Sequence, residues 1–167
     1  MPQYLMRAVS LVMLMFFLAL PHTVFAVDAE STPVNPHAAV VREVINSGNP
    51  EGAPGQVLEL VRYYIPPNTS LPMHIHPGMQ VAYVESGTLT YTVVEGTASY
   101  VRADGETGEL PEGETTDFAI GDSVVEAQGM IHFGENKTDK PVILLVASLF
   151  EADVPPSSLV EMGTPVP

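Results

Sequence analysis

Between positions 40 and 150 the chain is a succession of short, β-branched apolar runs, each closed by turn residues, and this texture limits the fold more than any other feature. The runs occupy 40–45, 57–65, 71–76, 81–84, 88–94, 97–103, 118–120, 123–126, 130–133 and 142–150. Asn49-Pro50, Pro66-Pro67-Asn68, Pro77-Gly78, Ser86-Gly87, Glu95-Gly96, Asp104-Gly105, Gly121-Asp122, Gln128-Gly129 and Lys140-Pro141 separate them. No stretch sustains a 3.6-residue apolar period, whereas strand formers alternate with turn signals throughout. Many short strands at such spacing predict an all-β, antiparallel sandwich or barrel. With 167 residues there is room for one such domain.

The N-terminal stretch is of another kind. Arg7 is the only basic residue before Arg42, residues 8–20 are apolar apart from one hydroxyl, and Val24-Phe25-Ala26 follows with small residues at either end. A positive start, a short apolar run and a small-x-small site read as a secretory signal over residues 1–26; the run is short for a membrane span. The chain is therefore expected to be exported, periplasmic or secreted, with no membrane partner after cleavage. Residues 27–39 read as a mobile lead-in, 40–151 as the β-barrel domain and 152–167, with four prolines, as an extended tail. The stretch 104–117 holds six acidic groups and reads as a solvated surface excursion.

Charge and cysteine content remove whole classes of function. The formal net charge is -14, which disfavours nucleic acid and anionic lipid as partners. There is no cysteine, so disulfides, thiolate metal sites and thiol nucleophiles are excluded. No local motif supports Ser-His-Asp catalysis or a phosphate-cradling loop. A metal would have to be held by histidine, carboxylate or amide.

Such a set is present. His74-Ile75-His76 lies in a strand-like run, where period-two alternation points both imidazoles to one face, about 7 Å apart. Pro77-Gly78 turns the chain, Gln80 opens the next run where it can return beside the pair, and His132 stands in a later short strand. Three neutral imidazoles and one oxygen donor would suit a mononuclear site for one divalent transition metal, iron, manganese, nickel, copper or zinc, although a lone His-x-His reads more plainly as two strand histidines or a surface pair.

Two longer patterns contain these residues. His74-x-His76-x3-Gln80-x6-Gly87 resembles the first motif of the cupin superfamily, and Gly121-x5-Ala127-x-Gly129-x2-His132-x3-Asn136 resembles the second. The resemblance implies a cupin-type antiparallel β-barrel, a jelly-roll-like double-stranded β-helix. It places His74, His76 and His132 on histidine-ligand positions and Gln80 on the position of the usual glutamate ligand, where an amide brings no negative charge. Asn68 stands for the first motif's opening glycine, as a residue that tolerates the left-handed region, and Ala127 replaces a proline.

Other residues have plainer expectations. Ala82 and Val84 share the face of Gln80, and Tyr83 points away. Tyr91 and Tyr100, like Tyr83, read as packing residues that are also candidates to line the cavity. Met73, Met79 and Phe133 read as outer packing, and His37 as a solvated loop histidine. The expected function is a metal-binding cupin, oxygenase-like, acting on a small organic molecule that chelates the metal; the alternative is a non-catalytic module that binds or senses a small ligand. A homodimer is expected, with the apolar run 142–150 covering a sheet edge.

Overall fold

The computed structural model describes residues 39–161. The expected signal peptide, His37, nearly all of the lead-in and residues 162–167 lie outside the described residues. No helix occurs among the described residues, which form thirteen strands: β1 Val41–Gly48, β2 Gln56–Ile65, β3 Thr69–Ser70, β4 His74–Ile75, β5 Gly78–Ser86, β6 Leu89–Glu95, β7 Thr97–Val101, β8 Thr107–Pro111, β9 Thr115–Phe118, β10 Ser123–Glu126, β11 Ile131–Asn136, β12 Val142–Glu151 and β13 Ser158–Leu159.

They build two antiparallel sheets. One has the order β1-β2-β12-β5-β10-β7-β8, the other β13-β4-β11-β6-β9 with β3 also on β11. The large jumps in sequence between neighbours make a jelly-roll-like double-stranded β-helix whose two sheets are not closed into one ring of hydrogen bonds. Strict alternation decides which side chains face inward. In β5, Gln80, Ala82 and Val84 are buried while Met79, Val81 and Tyr83 are exposed, as parity requires. The same period buries Leu89, Tyr91 and Val93 in β6 and His132, Gly134 and Asn136 in β11.

Backbone constraints sit at the joints. Asn68 has φ 52°, the left-handed conformation expected of it. Gly78 starts β5 so close to β12 that a Cβ would lie 2.1 Å from the Leu149 carbonyl oxygen, a position only glycine can fill. Asn136, fully buried at the end of β11, donates its amide to the carbonyls of Ile65, Pro66 and Lys140 and accepts from the Thr138 N–H and hydroxyl. One side chain thus clasps segments 65–66 and 138–140 to β11, four residues from His132.

Three features differ from the sequence reading. The acidic stretch 104–117 contributes β8 and β9, and it sends Leu110 into the core while Phe118 closes β9 behind it; alternation survives there because only the outward positions are charged. The run 142–150 covers no edge, since β12 is hydrogen-bonded to β2 on one side and β5 on the other. The segment after residue 152 returns to its own domain, with Ser158 and Leu159 pairing with Ile75 and His74.

Candidate metal centre

One row of inward positions crosses the larger sheet: Ser148 of β12 is in register with Gln80 of β5, which is in register with Glu126 of β10. All three are buried, at 2%, 6% and 4% exposure. A polar row at these positions of an otherwise apolar interior needs partners. The facing sheet supplies them for Gln80 and Glu126, because register sets His74 of β4 beside His132 of β11 and His76 directly follows β4, while the Ser148 hydroxyl stays without a partner.

The three histidines converge, with ligand nitrogens all within 4.8 Å of one another, close to the separation of about 3–4 Å that donors on one ion adopt. Each ring is oriented from behind. The Nδ1 atoms of His74, His76 and His132 lie 2.8, 2.7 and 3.3 Å from the carbonyl oxygens of Pro72, Pro156 and Met130. A carbonyl can only accept, so each Nδ1 carries a proton, and in the neutral ring each Nε2 offers its lone pair to the centre, the arrangement metal-binding histidines use; a protonated His132 or His76 would instead donate from Nε2 to Glu126. Stacking adds to this: Phe150 lies against His76 and Tyr91 against His132, with centroids 5.3 Å apart in both pairs. His76 owes its anchor to the returning C-terminal segment, which carries Pro156.

Glu126 adjoins two of the three rings. Its Oε2 is 3.3 Å from His76 Nε2 and 3.2 Å from His132 Nε2, and the Gln80 amide nitrogen donates to the same oxygen. Burial pushes this carboxyl up, but the charge and hydrogen bonding of His132 and then His76 outweigh it and hold Glu126 well below the usual carboxylate range. Burial lowers His132, and the adjacent Glu126 reverses this and raises it. His74 is lowered to about 4, first by burial and then by repulsion from His132, so it stays neutral.

The sequence matches the cupin domain family over residues 61–148. The chain belongs to the cupin family. No curated protein matches it. Among solved structures, this cupin is similar to an uncharacterized conserved protein with a double-stranded β-helix domain from Klebsiella pneumoniae, at 22% identity over 85% of this chain and all of that one, TM-score 0.37. A polyketide cyclase from Streptomyces resistomycificus aligns at 20% identity over 74% of this chain and 72% of that one, TM-score 0.43. A salicylate 1,2-dioxygenase from Pseudoaminobacter salicylatoxidans aligns at 16% identity over 55% of this chain and 20% of that one, TM-score 0.40. At these identities and TM-scores the likeness says nothing of the reaction.

Of the site residues read from the sequence, His74, His76, Gln80 and His132 all meet in this cupin's interior. Gln80 turns its amide nitrogen to Glu126 and to His76 Nε2, 3.0 Å away, and its Oε1 is buried without a partner. Tyr91 lines the cavity, whereas Tyr83 faces outward and Tyr100 packs beside Phe118. The Tyr91 hydroxyl is also buried without a partner; burial foremost, then the Glu126 charge, raises its pKa, so it remains a proton donor. Glu126 was absent from the sequence reading. The available signal was parity from Gly121-Asp122, which puts Val124 and Glu126 on one inward face.

The histidines form one wall of a cavity of about 200 Å³. Its other walls are mainly apolar, with Ile65, Leu71, Leu89, Leu144 and Val146 among them, and among the described residues no lysine or arginine lines it.

Proposed function

We propose that this cupin holds one divalent transition metal on His74, His76 and His132, and that a small organic molecule binds against it in the apolar cavity. The observation that carries the reading is the convergence of three imidazoles whose outer nitrogens are each tied to a backbone carbonyl. The fourth, oxygen donor comes from the Gln80–Glu126 pair. When bound, such an ion supplies Lewis acidity and a site for redox chemistry.

The chain's own groups decide what enters. An engineered cavity of about 150 Å³ takes a benzene, so about 200 Å³ suits a molecule of one ring or its aliphatic equivalent with a short polar head. Because no lysine or arginine among the described residues lines the cavity, an acidic head would find its positive partner at the histidine wall. The Tyr91 hydroxyl, unpartnered and at the cavity, would donate to that head, and Gln80 Oε1, an unpartnered acceptor, would take a hydrogen bond from a hydroxyl of the ligand. Oxygenase-like turnover is the preferred reading, and a non-catalytic binding or sensing module is the alternative.

The reading extends to export, on the signal-like residues 1–26, and to pairing with a second copy. For pairing, the outer face of the larger sheet carries apolar residues in cross-strand register: Leu58 with Leu149 and Met79, and Leu60 with Ala147 and Val81. Leu58, Met79 and Val81 are exposed, and a two-fold partner would cover them.

Oxygen uptake tests the enzymatic reading. Iron(II), manganese(II), nickel(II) and copper(II) forms should be screened against enolic, diketone and phenolic acids. Metal-dependent consumption that disappears in His74→Ala is expected. Saturable ligand binding without turnover in any form would favour the binding module, and neither binding nor turnover would refute both.

A further inference from the structure

We propose that Glu126 is the carboxylate ligand of this centre and that Gln80 is its positioning residue, the two having divided between neighbouring strands the work of one ligand. The inference rests on the three-histidine reading above and concerns this chain's own acidic group.

Geometry separates the two candidates. Donors bound at about 2.1 Å to one ion lie about 3.0 Å apart in octahedral and about 3.4 Å apart in tetrahedral coordination. Glu126 Oε2 already stands 3.3 and 3.2 Å from the inward nitrogens of His76 and His132, so one oxygen shares the coordination sphere of two imidazoles without any change of rotamer. Gln80 offers its nitrogen in that direction, and an amide N–H donor cannot ligate. Turning the amide over would aim Oε1 at the Glu126 carboxylate and at a ring nitrogen that is itself an acceptor, two repulsive contacts in place of attractive ones. The orientation is therefore held by Glu126, and Gln80 holds Glu126 in return.

Register explains why the exchange works. Glu126 and Gln80 are directly paired across β10 and β5, and both lie on the inward parity, so a carboxylate on either strand reaches the same point. Charge points the same way. A buried carboxylate is costly unless compensated, and among the described residues no lysine or arginine pairs with this one; its neighbours are imidazoles, which must be neutral to bind a cation. With a divalent ion, the three histidines and Glu126 carry a residual charge of about +1, against +2 for a wholly neutral set.

The test is zinc(II) affinity of the purified chain, measured by competition with a chromophoric chelator near neutral pH, together with the cobalt(II) absorption spectrum. Glu126→Gln keeps the shape and removes the buried charge. It should weaken zinc by roughly 30-fold or more and alter the cobalt spectrum, with circular dichroism showing an intact fold. The exchange variant Gln80→Glu/Glu126→Gln should restore affinity to within about fivefold of wild type, which a merely structural role for either residue would not produce. Zinc binding in Glu126→Gln within about threefold of wild type overturns the proposal while leaving the three-histidine reading standing. So does a folded exchange variant that binds no better than Glu126→Gln. Absence of zinc binding in the wild type overturns both.

Discussion

Replacing Asn136 with alanine removes a side chain that satisfies the backbone of two segments at once, 65–66 and 138–140. Its amide nitrogen lies 3.1, 2.8 and 2.8 Å from the carbonyl oxygens of Ile65, Pro66 and Lys140, and its oxygen accepts from the Thr138 N–H and hydroxyl. Two amide protons serve three acceptors, so the lost donation is worth about 2 kcal/mol at about 1 kcal/mol per bond. The Lys140 carbonyl keeps the Thr138 hydroxyl as a partner, whereas the buried Ile65 carbonyl loses its side-chain donor, adding about 1–2 kcal/mol. The total is about 3–4 kcal/mol, or about 10–15 °C in Tm for a domain of this size. Asn136→Asp sharpens the argument, because it keeps the shape and the acceptor oxygen but aims a carboxylate at the carbonyls. It should be at least as unstable as Asn136→Ala at neutral pH. Since that buried carboxyl would titrate above its unfolded value, its deficit should shrink as pH falls below about 5 and the acid becomes a donor. Thermal and urea unfolding at two pH values measure both effects. An alanine variant within about 1 kcal/mol of wild type, or an aspartate variant indistinguishable from wild type at neutral pH, would refute the clasp.

Asp122 accepts from the Ala119 and Ala103 N–H groups and from Arg102; burial opposes its ionisation, but these donors win and hold it below the ordinary carboxylate value. The stabilisation is therefore full above about pH 4–5 and is lost as pH falls through the folded value, so Asp122→Ala should cost about 3 kcal/mol at neutral pH and flatten the acid limb of the stability curve. An acid limb unchanged from wild type would assign that limb to other groups. Tyr91→Phe removes an unpartnered buried hydroxyl and should leave stability unchanged or raise it by up to about 1 kcal/mol, while weakening whatever ligand the cavity takes; a loss of several kcal/mol in unfolding would mean the hydroxyl serves the fold. Val81→Glu should convert a dimer to a monomer by light scattering, and an unchanged mass would remove this face from any interface.

Much of the strand pattern was legible because period two and turn chemistry are local. Nine runs anticipated strands, the tenth, 118–120, touching β9 only at Phe118, and the parity argument around Gln80 correctly sent Tyr83 outward. His74, His76 and His132 were legible as a set because two of them are neighbours in one extended run. Glu126 was not, since its meaning lies in the β5–β10 register, which no local periodicity encodes. The acidic run hid β8, whose single buried Leu110 is a weak signal among charges. The C-terminal segment was read from its prolines alone, yet the Pro156 carbonyl is what His76 requires.

The central claim is that three inward imidazoles hold one metal ion. Crystals of the chain grown with zinc or manganese, with anomalous data collected at the metal edge, test it directly. The account predicts one peak per chain at bonding distance, about 2.0–2.3 Å, from a ring nitrogen of each of His74, His76 and His132, and its loss in His132→Ala. No peak among the three rings, or the same peak retained in His132→Ala, would contradict it.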